Sequence, residues 1–178
     1  AALADVAGLD ESPAAYHLGF VFGPRVNAGG RVGQPDSGAR LLSTDDPGEA
    51  ARLATMLDAH NAERKAIEAA TLEAALQQIE SKSLDKNARI LVVAGKGWHP
   101  GVIGIVASRL MERYHRPACV VGLADGVGKG SGRSVPGIDL GAAVIAARQA
   151  GLLVAGGGHP MAAGFTVAEA RLGLLAAF

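Results

Sequence analysis

The sequence contains little cysteine and few aromatic residues, and its formal charges cancel. Of its 178 residues one is a cysteine and 4% are aromatic. A single cysteine excludes a disulfide scaffold and fits a reducing compartment. In the apolar run PACVVG, Cys119 is expected to behave as a small buried hydrophobe. Seventeen Lys or Arg residues balance seventeen Asp or Glu residues, so no global electrostatic attraction draws the chain to nucleic acid.

Long apolar runs, targeting signals and metal-ligand patterns are also missing. No apolar run reaches the roughly 18 residues that a membrane-spanning helix needs, and nothing resembles a signal peptide. The sequence therefore predicts a cytoplasmic protein without a membrane partner. No second His, Cys or carboxylate stands at metal-ligand spacing around His159, so no metal or other cofactor is expected in this chain.

Glycine and small apolar residues are abundant, with 25 glycines and 49% hydrophobic residues. This composition is enough to bury the core of one large domain, or of one domain with an appendage. From residue 88 onward, apolar strand-like runs alternate with helical patterns, which predicts an α/β layered domain. The predicted strands cover 88–95, 117–123, 128–134 and 164–167, and the predicted helices cover 100–115 and 138–150.

The first half of the chain divides at the segment DDPGEA. Residues 20–38 are rich in Gly and Pro and predict a loop. Residues 1–18 are interpreted as the end of a segment that began earlier in the chain. An acidic N-cap, Pro47 and Glu49 then indicate the start of a helix over about 46–82. At 1.5 Å per residue, such a helix is roughly 50 Å long, which suits a connection between two bodies.

The segment GVGKGSGRS, residues 126–134, is the first candidate site. It lacks the glycine spacing of both the Walker loop and the dinucleotide-binding fingerprint. It does offer backbone N–H groups, the hydroxyls of Ser131 and Ser134, and the guanidinium of Arg133, a set that suits a phosphate. Lys129 lies in the same segment. The alternative is a plain hairpin with a solvated arginine.

Three further segments combine glycine with potential ligands of a polyanion. In GWHPGVIG a strand leads into a helix N-terminus, a position that favours anions. Trp98 either stacks on a base or fills a gap in the core, and His99 either contacts a ligand or caps the helix. In FGPRVNAGGR, Arg25 and Arg31 can converge on one phosphate or on adjacent phosphates. In GGGHPMAAG, the glycine triplet before His159 indicates an unusual backbone path or a close approach.

These four motifs, in this order and with a long helix after the first, resemble the bacterial single-strand-specific DNA exonucleases of the DHH phosphoesterase family. The resemblance covers about residues 20–168. It implies an α/β DHH-associated domain with a central mixed sheet over 88–178, preceded by a connecting helix over 46–82. Residues 1–45 would then be the end of a catalytic lobe and an interlobe loop.

The resemblance also implies a function and a set of site residues. It implies 5′ to 3′ hydrolysis of single-stranded DNA in repair and recombination, with a helicase and a single-strand-binding protein as further partners. His159 would act at the scissile phosphate. The residues expected to bind substrate are Arg25, Asn27, Arg31, Trp98, His99, Lys129, Ser131, Arg133, Ser134, Gly156, Gly157 and Gly158.

Two other classes of function stay open from the residues. One is a phosphodiesterase for short oligonucleotides or cyclic dinucleotides, and another is a non-catalytic RNA- or tRNA-binding module. A protein-interaction domain with solvated arginines is the third and least specific alternative. Preference for 5′-phosphorylated single-stranded DNA over structured RNA separates these possibilities.

The sequence has no Asp-His-His triplet and no upstream cluster of aspartates. In the family these residues belong to a catalytic lobe and bind two Mn²⁺ or Mg²⁺ ions. This chain is therefore expected to be a fragment that lacks the catalytic lobe. The oligonucleotide-binding barrel of longer relatives is also missing, so binding should be weak and strongly dependent on salt. We predict that the purified chain does not cleave single-stranded DNA in the presence of Mn²⁺. Manganese-dependent release of nucleotides by a pure sample would contradict this prediction.

Overall fold

A computed structural model shows that the chain divides within its longest helix. It describes the backbone of residues 1–178 and the side chains of all of them except residues 85 and 87. One unit comprises Ala1–Ile67 and the other Glu68–Phe178. Within the described residues, no helix is both long enough and apolar enough to cross a membrane.

The first unit is helical. Its elements are α1 (Ala2–Ala7), α2 (Ala15–His17), a π-helical turn (Leu18–Phe22), α3 (Gly23–Val32), α4 (Ser37–Ser43) and the first part of α5 (Pro47–Ser81). The prediction of a loop over 20–38 is therefore wrong. Pro24 stands in the first turn of α3, where its missing N–H costs nothing. Gly29 is buried and has no room for a side chain, because a Cβ there would lie 2.7 Å from the Gln34 carbonyl oxygen.

Helix α5 begins where its sequence signals predict. The carboxylate of Asp46 accepts a hydrogen bond from the Gly48 N–H at 2.8 Å, which satisfies one of the unpaired donors of the first turn. In the first unit, Leu53 and Leu57 of α5 pack with Leu41 of α4 in one buried apolar cluster. In the second unit, Ile79 of the same helix is also fully buried. The assignment of roles to residues 1–45, 46–82 and 88–178 stays a prediction.

The second unit is built on a five-stranded sheet in the order β1-β2-β3-β5-β4. Its strands are β1 (Leu91–Lys96), β2 (Ala118–Ala124), β3 (Val127–Arg133), β4 (Ala155–His159) and β5 (Ala162–Ala168). Its helices after α5 are α6 (Leu84–Asn87), α7 (Pro100–Tyr114), α8 (Leu140–Gln149), a 3₁₀ turn (Glu169–Arg171) and α9 (Leu172–Ala177). Only the β1–β2 pair is parallel, so the predicted mixed sheet is confirmed.

Glycine and polar residues alternate along β3 and divide its two faces. Gly128, Gly130 and Gly132 are buried, whereas Lys129 is exposed and Arg133 is half-buried. On the glycine face, β2, β5 and α8 supply a shared apolar core that includes Phe165. Helix α7 contacts β2 and β3, and its Gly104 approaches Ser131 and Arg133 on the other face of β3.

The free edge of β1 is occupied by a side chain of α5. The amide of Gln78 donates to the Ala94 carbonyl at 2.9 Å, and the Ala94 N–H donates to the Gln78 side-chain oxygen at 3.1 Å. The side chain thus bonds to both backbone groups of Ala94, as a neighbouring strand would. The second half of α5 is therefore joined to the sheet by hydrogen bonds as well as by burial.

The glycine triplet of GGGH forms edge strand β4, which corrects the prediction of an unusual backbone path. Gly156, Gly157 and Gly158 have no positive φ angle. The expectation of close approach holds at Gly158, where a Cβ would lie 2.4 Å from the Ala162 carbonyl oxygen and 2.5 Å from the Ala163 Cα. At Gly157 a Cβ would meet nothing within 4 Å. The triplet thus permits tight pairing with β5 and leaves open backbone at its centre.

We expect Gly158→Ala to lower the free energy of unfolding by about 2 kcal/mol, because the new methyl group would overlap backbone atoms of β5. Its neighbour provides the matched control, since Gly157→Ala adds the same group in open space and should change stability by less than about 0.5 kcal/mol. Urea denaturation of the chain and both variants measures the difference. Equal stability of the two variants would contradict the packing described here.

Candidate phosphate-binding face

The strand register brings several of the predicted site residues onto one face of the sheet. Because β3, β5 and β4 are adjacent and antiparallel, each residue of one strand has a fixed partner on the next. Three rows result on the face opposite the Phe165 core: Arg133, Ala162 and His159; Ser131, Gly164 and Gly157; and Lys129, Thr166 and Ala155. We call this surface the phosphate face.

Arg133 is held in place by its own strand and by α7. Its Nη1 donates to the Gly132 carbonyl at 2.8 Å and to Ser131 Oγ at 3.2 Å. Gly104 of α7 lies so close that a Cβ there would be 3.2 Å from Arg133 Nη2. A guanidinium carries five N–H donors in a rigid fork, so the group is oriented and still has donors for an anion.

His159 lies in the same row as Arg133, at the end of β4. Its side chain is exposed, and Ala162 of β5 separates it from Arg133. With neighbouring strands about 4.8 Å apart, the two Cα atoms lie about 10 Å from each other. A phosphodiester over this row can therefore be approached by the imidazole from one side and by the guanidinium from the other.

Ser134 does not share this surface. It is fully buried, its hydroxyl donates to the Ile138 carbonyl at 2.8 Å, and its N–H donates to the Met161 carbonyl at 2.9 Å. The side chain therefore fixes the turn after β3 and has no access to a ligand. The prediction that Ser134 holds phosphate is corrected on this ground.

Trp98 and His99 each make the structural contact named as an alternative for them, and their contact with substrate stays a prediction. The half-buried indole of Trp98 lies over Gly95, where a Cβ would be 2.2 Å from Trp98 Cε2. His99 is the N-cap of α7, and its Nδ1 accepts from the Gly101 N–H at 3.1 Å. Because Nδ1 is the acceptor, the proton of the neutral ring is on Nε2.

The residues predicted from FGPRVNAGGR lie on α3, in the first unit. Arg25 Nε pairs with Asp58 Oδ1 of α5 at 2.7 Å, and its Nη1 donates to the Val21 carbonyl at 2.8 Å. Asn27 and Arg31 are both exposed and, being four residues apart on a helix, share one side of it. Arg25 is six residues from Arg31 and on a different side of α3, and binding of one phosphate or of adjacent phosphates by the two arginines stays a prediction.

Thr166 belongs to the phosphate face and Gly104 of α7 approaches it, and both were missed in the sequence. Thr166 Oγ1 accepts a hydrogen bond from Lys129 Nζ at 3.1 Å. Period-two alternation of the predicted strand 164–167 places Gly164 and Thr166 on one side, but only the pairing of β5 with β3 sets them beside Lys129. Gly104 stands in a helical pattern, where nothing marks it as a contact point.

The residues with described side chains do not form a metal site. Among them no group of three His, Cys, Asp or Glu side chains could hold a metal ion. Cys119 is buried in the apolar core, and this burial raises the pKa of its thiol to about 12. The thiol therefore stays protonated at neutral pH, where it is neither a ready nucleophile nor a ready metal ligand.

The comparison with protein families gives the class. The DHHA1 domain matches residues 87–178, which is more than half of the chain and includes the whole sheet. The chain therefore belongs to the DHHA1 domain family.

Comparison with individual proteins gives a narrower result. The chain is 42% identical over 179 residues to the single-stranded-DNA-specific exonuclease RecJ of Escherichia coli, covering 97% of this chain and 31% of that protein. It is 43% identical over 152 residues to RecJ of Bacillus subtilis, covering 84% of this chain and 19% of that protein. The chain thus spans less than a third of the length of these curated relatives.

Solved structures agree with this resemblance. The crystal structure of RecJ from Thermus thermophilus in complex with Mg²⁺ matches 98% of this chain and 26% of that protein, with a TM-score of 0.85 and 38% identity. The match to a crystal structure of exonuclease RecJ bound to manganese covers 98% of this chain and 42% of the RecJ chain, with a TM-score of 0.82 and 37% identity.

The Arg25–Asp58 pair predicts a structural effect on the first unit. We expect Arg25→Met to lower the free energy of unfolding by about 1 kcal/mol, because it removes a partly buried ion pair and the bond to Val21. The exposed Asn27→Ala on the same helix is the control and should change it by less than about 0.5 kcal/mol. Denaturant titration checks both values. A fully stable Arg25→Met variant would show that the pair contributes nothing.

Proposed function

We propose that this chain is the substrate-binding part of a 5′ to 3′ single-stranded-DNA exonuclease that hydrolyses phosphodiester bonds. In this proposal residues 88–178 bind the strand, the helix over 46–82 connects them to a catalytic lobe, and residues 1–45 belong to the junction with that lobe. Arg133 and Ser131 hold a phosphate, and His159 acts at the scissile phosphate.

The observation that carries the proposal is the common orientation of Lys129, Ser131, Arg133 and His159. The register places all four on one face of β3 and β4, beside glycine backbone that offers no steric barrier. A guanidinium and a hydroxyl that are already oriented can bind a phosphate with little further loss of side-chain freedom. The likeness to RecJ supports DNA as the polyanion.

The hydrolytic step requires groups that the described residues lack. We propose that a DHH lobe supplies two Mn²⁺ or Mg²⁺ ions, which would activate water and stabilise the leaving oxygen. The contribution of this chain is to bind the strand and to orient its phosphates. In this proposal His159, which is exposed at the end of β4, donates a hydrogen bond to a phosphate oxygen or to the leaving oxygen.

The remaining parts of the proposal concern the biological setting. We place the activity in cytoplasmic DNA repair and recombination, on strands with a 5′ end, with a helicase and a single-strand-binding protein as partners. Phosphodiesterases for short or cyclic nucleotides are less well supported, because the most similar proteins named above are single-stranded-DNA-specific exonucleases.

We expect Arg133→Ala to weaken binding of a 5′-phosphorylated, fluorescein-labelled single-stranded DNA by about tenfold, since a charge-assisted bond to phosphate is lost. The slope of log K against log salt concentration should fall by about 0.7, the value for one phosphate contact on a single strand. Fluorescence anisotropy at several salt concentrations measures both quantities.

Arg113→Ala is the matched control, because Arg113 is an exposed arginine in the last turn of α7 and is not one of the strand residues that form the phosphate face. It changes the net charge equally and should alter affinity less than twofold. If both variants lost the same affinity for DNA, net charge alone would explain the effect, and the proposal would be contradicted. Tighter binding of structured RNA than of single-stranded DNA would favour the RNA-binding alternative.

A further inference from the structure

A groove runs along the phosphate face beside the first turn of α7. Its volume is about 480 Å³, within the range of roughly 300–1,000 Å³ that small-molecule sites occupy. Pro100 of α7 supplies an exposed apolar surface above the buried Ile103, while Lys129 and Thr166 line the groove from β3 and β5. Gly164 contributes backbone without a side chain. The groove thus combines a cation, a hydroxyl and an apolar surface within the second unit.

The lysine in this groove is oriented by a hydroxyl group. Lys129 Nζ donates to Thr166 Oγ1 at 3.1 Å. Carboxylates partner several other cations of the chain, as Asp58 does for Arg25 and Glu68 for Arg109. None of the ten residues that line the groove is acidic. The hydroxyl therefore orients the ammonium without neutralising its charge. An ammonium has three N–H donors, so two of them can still bond to an anion.

The lysine and the arginine occupy separate positions. The Arg133 guanidinium reaches back to Ser131, which pairs with Gly164, whereas Lys129 bonds Thr166 in the next row. Ser131 and Thr166 are diagonal neighbours across an antiparallel pair, and the Cα atoms of such neighbours lie about 7–8 Å apart. This separation suits two neighbouring phosphates of an extended strand, one at each position.

We infer that Lys129 and Thr166 form a second phosphate subsite, which binds the nucleotide next to the one held by Ser131 and Arg133. The inference rests on the proposed function, because it takes the strand to lie on the phosphate face. The sugar and base of that nucleotide pack on the exposed ring of Pro100. This ring has no hydrogen-bonding group, so the subsite accepts any base. The strand follows β3 from the Arg133 row to the Lys129 row.

The test compares a mononucleotide with a short strand. The ¹⁵N-labelled chain is titrated with thymidine 5′-monophosphate and with a 5′-phosphorylated tetrathymidylate, and affinities are read from the amide shifts of Gly164 and Thr166. We expect Lys129→Gln to weaken binding of the tetranucleotide about fivefold and that of the mononucleotide less than twofold. Arg133→Ala should weaken binding of both ligands.

Conservative variants control for indirect effects. Lys129→Arg keeps the charge and Thr166→Ser keeps the hydroxyl, so both should bind the tetranucleotide within about twofold of the parent chain. Thr166→Val has nearly the same shape without the hydroxyl and should weaken tetranucleotide binding only. Preserved peak dispersion in each spectrum establishes that the variants are folded.

The possible results separate this inference from the proposed function. If Lys129→Gln leaves tetranucleotide binding unchanged while Arg133→Ala weakens it, the second subsite is overturned and the proposed function stands. An equal loss for both ligands in Lys129→Gln also overturns it, because one phosphate would then touch both cations. If Lys129→Gln weakens tetranucleotide binding and Arg133→Ala does not, the subsite of Lys129 and Thr166 is supported and the proposed role of Arg133 is overturned. Absence of tetranucleotide binding overturns both.

Discussion

The structure of the second unit depends on the absence of side chains at every second residue of β3. A Cβ at Gly130 would lie 2.2 Å from the ring of Phe165, and one at Gly132 would lie 2.7 Å from Leu140 of α8. The aromatic ring and the helix therefore occupy space that side chains of β3 would otherwise fill. Because the side-chain period of a strand is two, the residues between these glycines all point to the other face.

This constraint connects packing with chemistry. The glycine face is dry and apolar and supplies the core, while the opposite face carries a lysine, a serine and an arginine that the core does not need. Helix α7 covers part of that face, and its Gly104 presses against Ser131 and Arg133. Cationic side chains on a rigid strand, flanked by a helix, are better oriented for phosphate than the same residues on a flexible loop would be.

Sequence patterns predicted much of this fold because its signals are local. The acidic cap and Pro47 marked the start of α5, Asp139 caps α8 through the Ala142 N–H at 2.9 Å, and apolar runs marked β1 and β2. The segment around α3 was misassigned because two of its glycines, Gly29 and Gly38, are buried packing positions in helices. The same composition, without knowledge of neighbours, is typical of a loop.

The candidate site could be predicted in part, and the reason lies in what spacing can determine. Alternation along GKGSGR is enough to place Lys129, Ser131 and Arg133 on one face. It does not reveal that Ser134, one residue later, turns inward to Ile138, or that Arg25 is engaged by Asp58, 33 residues away. Partners distant in sequence are set by tertiary packing, which motif spacing does not encode.

The bonds of Gln78 to Ala94 also affect where a shortened piece of this chain can begin without opening the edge of the sheet. The DHHA1 match starts at residue 87, whereas the compact unit starts at Glu68. A piece cut at the family boundary would lose Gln78 and expose the outer edge of β1, an open template for pairing with another chain. The end of the long helix thus also protects the sheet from self-association.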